Sequence, residues 1–206
     1  TEQEQNIANS LDKEATKARW TDWKWQLRHS IRSVEDLENV TGVHFGEEER
    51  AKLAKTMDTF PMSVTPYYLS LVDMENRDFD PVYQQAVPSV NELITARYDM
   101  KDPLAEDKDS PAPFLTHRYP DRVLFHVSNL CSMYCRHCTR KRKVGDHDSI
   151  PSFEQLQPAL DYIRAHDEVR DVLLSGGDPF MLSDEQLDRL LGAVRAIPHV
   201  EIVRIG

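Results

Sequence analysis

The chain has 206 residues, enough to bury a sizeable core as one domain or two small ones. A formal net charge of −10 removes the global basic field that nucleic-acid binding draws on, and 40% hydrophobic with 29% charged residues is an ordinary soluble composition. No apolar run reaches the length of a membrane span and no secretory leader opens the sequence, so the expectation is a cytoplasmic protein with neither membrane nor nucleic-acid partners. Taken in chain order, residues 1–15 are polar and Pro-free, a helical or frayed leader. Trp20 to Arg28 reads as a helix, with Trp20, Trp23, Leu27 and Ile31 near one face. A stripe of large aromatics predicts core packing or the subunit contacts of a homo-oligomer. Ser33 predicts a helix N-cap with Asp36 at the third position. Gly46-Glu47-Glu48-Glu49 opens a helix that ends near Phe60, before Pro61. Ser63–Val72 is apolar but interrupted by Pro66, and Pro81–Ala96 suggests two short helices around Pro88. Residues 1–101 are therefore expected to form a helical region without cysteine. The Pro- and acid-rich stretch 102–116 reads as a connector.

The period changes in 117–206. Val123–Val127 is a short β-branched and aromatic run, consistent with a buried strand. Phe153–Ala165 reads as an amphipathic helix in which Pro158 marks a kink or the true start. Asp171–Ser175 is a second strand, ended by Gly176-Gly177. Ser183 with Gln186 forms a capping box for a helix reaching about Ala196. Val200–Ile205 is a third strand. Strand, helix, strand, helix, strand is the pattern of a parallel α/β sheet with right-handed crossovers. Three strands cannot close a barrel and would leave a parallel edge open, so the sequence is expected to be part of a longer protein.

All three cysteines fall within eight residues, Cys131-Ser132-Met133-Tyr134-Cys135-Arg136-His137-Cys138. Soft thiolates suit iron–sulfur chemistry, and three are one fewer than an electron-transfer cluster usually takes, which would leave one iron open to an outside ligand. A zinc site completed by His137 or His147, a disulfide with a spare thiol, and inert thiols are the other readings. Zinc sites usually add a second cysteine pair further on, and none follows here. In the expected sheet the cysteine loop leaves the first strand and Gly176-Gly177-Asp178 leaves the second. Both lie on the edge where α/β sheets collect ligands. Gly176 and Gly177 would let the backbone approach a ligand closely; an ordinary strand-to-helix turn is the alternative. Arg118 and Arg122 flank Tyr119-Pro120-Asp121, and two guanidiniums there suit a phosphate, or else pair with Asp121 and the acidic connector. Arg136, Arg140, Lys141, Arg142 and Lys143 form a basic island, read as a solvated face or a docking patch.

Several stretches together resemble the lysine 2,3-aminomutase family and the closely similar glutamate 2,3-aminomutases. They are Pro66–Leu71, Asp102-Pro103-Leu104, His117–Arg122, Cys131–Arg140, Asp171–Asp178 and Ile197–Gly206, within a likeness that runs from about Trp20 to the last residue. The resemblance implies a partial barrel of the radical S-adenosylmethionine (SAM) type, represented here by its first three strands. It implies a [4Fe-4S] cluster, SAM and pyridoxal phosphate, used to move the α-amino group of an amino acid to the β-carbon. Cys131, Cys135 and Cys138 would hold the cluster. His137, Gly176, Gly177 and Asp178 would face SAM; Arg118, Tyr119 and Arg122 would face pyridoxal phosphate; Arg140 would take the substrate carboxylate. An acidic electron donor such as flavodoxin or ferredoxin would be a partner. The family's pyridoxal-bearing lysine has no counterpart in 1–206, so the chain alone is expected not to turn over substrate. Lysine is the favoured substrate and glutamate the alternative.

Overall fold

The computed structural model describes residues 1–12, 17–144 and 150–206. His147, a zinc-ligand candidate, lies outside the described residues. The chain divides into two compact units, Thr1–Arg97 with Ser132–Cys138, and Tyr98–Cys131 with Thr139–Gly206.

The first unit is helical: α1 Glu2–Leu11, α2 Lys17–Trp20, α3 Trp23–Arg28, α4 Val34–Thr41, α5 Glu47–Thr59, α6 Pro66–Leu69 and α7 Pro81–Ala86, followed by a 3-10 turn at Val90–Leu93. Local chemistry sets the boundaries. The Asp36 N–H donates to Ser33 Oγ at 3.0 Å, and Gly42 ends α4 in the left-handed region at φ 70°. Pro66 starts α6 instead of interrupting a segment, because a helix's first residue needs no N–H partner and Thr65 caps it. The expected Trp20–Arg28 helix is split. Asp22 accepts from the Lys24 N–H at 2.9 Å and restarts the helix in a new phase. The aromatic stripe is corrected accordingly: Trp23 is 62% exposed, whereas Trp25 is buried at 3% and stacks on His29, ring centroids 4.3 Å apart. Ile31, Leu37, Val64 and Leu69 lie at the centre of the core, where Ile31 and Val64 exchange backbone hydrogen bonds of 2.8 and 3.1 Å.

The second unit is built on a four-stranded sheet in the order β1 Leu115–Tyr119, β2 Arg122–Ser128, β3 Asp171–Gly176, β4 Ile202–Ile205. β2, β3 and β4 are parallel, as the strand–helix alternation predicts. β1 is antiparallel to β2 through the two-residue turn Pro120-Asp121 and takes over part of the stretch read as connector. Helices α8 Phe153–Ala165 and α9 Asp184–Arg195 connect the parallel strands. Each opens with a reciprocal capping box, Ser152 with Gln155 and Ser183 with Gln186. Pro158 lies inside α8, not at its start. Phe125 and Val127 of β2, Val172 and Leu174 of β3, and Leu160 and Ile163 of α8 form the buried centre. Among the described residues, no helix is long and apolar enough to cross a membrane.

Candidate functional site

The cysteine segment is shared between the units. Cys131 belongs to the sheet unit as the third residue past β2, and Cys135 and Cys138 belong to the helical unit. All three are partly buried, and none is in a disulfide. Within the helical unit, Met133 packs against the core and Tyr134 is buried. The Cys138 N–H donates to Cys135 O at 3.1 Å, which closes a tight turn. Burial pushes the Cys135 thiol up, and the nearby Cys138 adds to the shift. The donor set fits a soft metal or an iron–sulfur cluster: three thiols in one short segment, two of them near enough to sense each other's charge. Among the described residues no group of three or more His, Cys, Asp or Glu is drawn together as a ready-made metal cage. His137 is exposed at the surface of its unit.

In the sheet unit the exits of β2 and β3 are bound to each other. Ser128 Oγ accepts from the Leu130 N–H at 3.0 Å and turns the chain out of β2. The Gly177 N–H donates to Ser128 O and the Asp178 N–H to Leu130 O, both at 2.6 Å. A Cβ on Gly176 would stand under 3.0 Å from Ser128 O, and one on Gly177 equally close to Leu130 O; Gly176 also adopts φ 136°. The two glycines therefore let β3 approach the backbone of Ser128–Leu130, the stretch that launches Cys131. Asp178 is half-buried and caps the next turn, its Oδ1 accepting from the Phe180 N–H at 2.9 Å.

Beside these exits a cavity of about 350 Å³ is lined by Phe114, His126, Asn129, Arg140, Lys143 and Gly176, among others. Arg140 thus faces a cavity. Its Nε donates to Glu106 Oε1 at 2.8 Å, and Lys143 Nζ lies 3.5 Å from Glu106 Oε2. Glu106 is 6% exposed. Arg142 forks onto Asp107 at 2.8 and 3.0 Å and reaches Asp102 at 3.0 Å. At these positions acids of the stretch 102–116 pair with the basic island from within the same unit. His126, one strand over, places Nε2 3.0 Å from Thr116 Oγ1. Burial first, then Arg140 and Lys143, hold its pKa down at about 4, with Glu106 opposing. Reasoning from sequence missed His126 and Glu106. A lone histidine inside the apolar run Val123–Val127 was a usable signal for the first; the glutamate carries no local one.

Arg118, Tyr119 and Arg122 gather elsewhere. Arg122 donates to both oxygens of Asp121, at 2.9 and 3.1 Å, and lies over the Tyr119 ring at 5.9 Å; Arg118 Nη1 donates to Leu104 O at 3.2 Å. In the register, Arg122 pairs with Asp171 at the start of β3, whereas Ser128 pairs with Gly176 at its end. Six residues of strand at ~3.3 Å each put about 20 Å between the two ends. The expected phosphate-binding group thus lies at the amino ends of the parallel strands and does not join Gly176-Gly177-Asp178. Surface ion pairing with Asp121, the alternative weighed for Arg122, is what the structure contains.

A largely parallel sheet, with a cysteine segment and a Gly-Gly-Asp turn leaving adjacent strands at their carboxyl ends, defines a partial α/β domain with both loops on one edge. No protein-family model matches the chain. Curated relatives do: it is 54% identical over 196 residues to an L-lysine 2,3-aminomutase of Methanococcus maripaludis, covering 95% of this chain and 45% of that protein. It is 50% identical over 201 residues to the L-lysine 2,3-aminomutase of Clostridium subterminale, 98% of this chain and 48% of that one. A glutamate 2,3-aminomutase of Clostridioides difficile is 41% identical over 191 residues, 93% of this chain and 44% of that one. The chain belongs to the lysine 2,3-aminomutase family and spans about half the length of the curated relatives it matches.

Proposed function

We propose that this chain carries the cluster- and SAM-binding part of a radical SAM 2,3-aminomutase, an isomerase that moves the α-amino group of an amino acid to its β-carbon. Lysine is the favoured substrate, because identity to the relatives named for lysine reaches 54% against 41% for the one named for glutamate. The observation that carries the reading is the C-x3-C-x2-C segment launched from the end of β2, beside the Gly176-Gly177-Asp178 exit of β3, in a chain related to these enzymes along almost its whole length.

Cys131, Cys135 and Cys138 would hold a [4Fe-4S] cluster as thiolates. Such a cluster, when bound, supplies the single electron that cleaves SAM to a carbon-centred radical. Asp178 commits one oxygen to the Phe180 N–H, and a carboxylate retains acceptor capacity for an ammonium group such as that of SAM. Exposed His137, beside the last cysteine, would lie against the adenine. Arg140 on its cavity would take the substrate carboxylate as a charge-assisted fork, with Glu106 setting the guanidinium's direction. Arg118, Tyr119 and Arg122, grouped at the amino ends of the strands, would offer guanidinium and phenol donors to the phosphate of pyridoxal phosphate.

The test is anaerobic loading of the chain with ferrous iron and sulfide, followed by reduction and addition of SAM. Iron bound to the native chain, its loss on Cys→Ala substitution at 131, 135 or 138, and release of 5'-deoxyadenosine are the expected results. One zinc and no iron would favour a zinc module and overturn the proposal. Substantial aminomutase turnover by these 206 residues with added pyridoxal phosphate would show that the activity is more complete in this chain than proposed.

A further inference from the structure

We propose that Arg136 and Glu92 form a positioning pair that fixes the conformation of the cysteine segment. The inference concerns how the chain holds Cys135 and Cys138, and its link to a cluster rests on the function proposed above.

Arg136 directly follows Cys135 and stands two residues before Cys138. Its side chain is 9% exposed and that of Glu92 13%. The fork is two-pronged, with Nε to Oε1 at 3.0 Å and Nη2 to Oε2 at 2.7 Å. The same guanidinium donates from Nη1 to Pro61 O at 2.9 Å and to Tyr134 O at 3.4 Å, and from Nη2 to Phe60 O at 3.4 Å. Phe60 is the C-cap of α5, where carbonyls lack helical N–H partners and present the negative end of the helix dipole. The backbone is tied as well, the Arg136 N–H donating to Gln85 O at 2.9 Å. Glu92 is fixed from its own side, since Oε1 also accepts from the Ser89 N–H at 2.9 Å in the capping box of its 3-10 turn.

One residue of the cysteine segment is therefore fastened to the end of α5, to α7 and to the Val90–Leu93 turn. Buried ion pairs contribute little net stability compared with apolar residues of similar volume, and fixing a conformation is one of their attested uses. Here the conformation fixed is the turn closed by the Cys138 N–H on Cys135 O. A lysine would keep the charge and lose the fork, because an ammonium cannot present the planar set of donors that matches Glu92 and three carbonyls at once.

The test uses the reduced, metal-free chain. Alkylation of each thiol is followed by peptide-resolved mass spectrometry in the native chain and in Glu92→Gln, Arg136→Gln and Arg136→Lys. Cys135 and Cys138 should react about tenfold faster in the two glutamine variants, as local opening becomes cheaper, while Cys131 changes less than about twofold. Arg136→Lys should fall between. Equal rates in all four chains, or all three thiols rising together, would overturn the positioning pair in favour of no role or of general destabilisation. If a variant does not fold, hydrogen exchange in the native chain decides: an Arg136 amide exchanging at the free-peptide rate sinks the proposal and a protected one supports it. Iron binding by the native chain is read separately. A chain with the expected alkylation pattern that binds no iron would retain the positioning pair and lose the cluster reading.

Discussion

Substituting Gly177 by Ala puts a methyl group into the backbone of the β2 exit. The new Cβ would lie 2.8 Å from the carbonyl carbon of Leu130 and closer still to its oxygen, and backbone atoms cannot swing aside as a flexible side chain can. Overpacking of this kind costs about 1–3 kcal/mol. Moving the strands apart also lengthens the Gly177–Ser128 and Asp178–Leu130 hydrogen bonds, each worth about 0.5–1.5 kcal/mol. The expected loss is therefore about 2–6 kcal/mol. Gly176→Ala adds the strain of φ 136° on top of a contact with Ser128 O, about 1–2 kcal/mol more. Gly192→Ala is the control of opposite sign. It sits in α9 with nothing within 4 Å of the new methyl, and should stabilise by about 0.5–1 kcal/mol through helix propensity. The tryptophans all lie in the helical unit, so the assay is urea unfolding by far-UV circular dichroism with amide exchange read at β2 and β3. A Gly177→Ala chain within about 0.5 kcal/mol of the native one would refute the account of these glycines, because propensity effects alone are that small.

Three further outcomes follow from the same unit. His126 titrates at about 4 in the folded chain against an ordinary 6.5, so the unfolded chain takes its proton first as the pH falls. The stability linked to its neutral form is complete above the ordinary value and is lost progressively as the pH drops toward 4, by about 3 kcal/mol in all. The groups that perturb it are Arg140, Lys143, Arg142 and Glu106. His126→Gln should flatten urea midpoints compared at pH 7, 5.5 and 4.5, and an unchanged slope would contradict the assignment. Glu106→Ala removes a buried acceptor shared by Arg140 and Lys143 and should destabilise by about 3 kcal/mol in thermal or urea unfolding. Ser152→Ala takes away half of the α8 capping box and should cost about 1 kcal/mol, with a matching loss of amide protection in the first turn.

The parts legible in the sequence were those written in local patterns. Val123–Val127 and Asp171–Ser175 are dominated by apolar residues because both faces of a parallel strand are covered, and β2 and β3 contain them. Ser33 and Ser183 announce their helices because capping needs only a hydroxyl and the next few N–H groups. β1 was hidden: two of its five residues are buried, His117, Arg118 and Tyr119 face outward or half outward, and Phe114 ahead of it holds φ 62°. The split of Trp20–Arg28 turned on one aspartate that competes with the helix for a backbone N–H. The site was legible as a set of residue types, less so as a set of neighbours. Arg136 and Arg140 look alike in a basic run. One is locked to Glu92, 44 positions away, and the other to Glu106, 34 positions away, and no local pattern reaches that far.

The antiparallel strand beside a parallel sheet bears on the order in which the unit can assemble. A hairpin closed by two residues forms in microseconds, whereas pairing β2 with β3 must first close the whole stretch from Asn129 to Arg170 and meet its loop entropy before any ladder bond offsets it. β1 and β2 can therefore be in register while the rest of the sheet is still unformed. Substitutions in the Pro120-Asp121 turn should therefore change the folding rate.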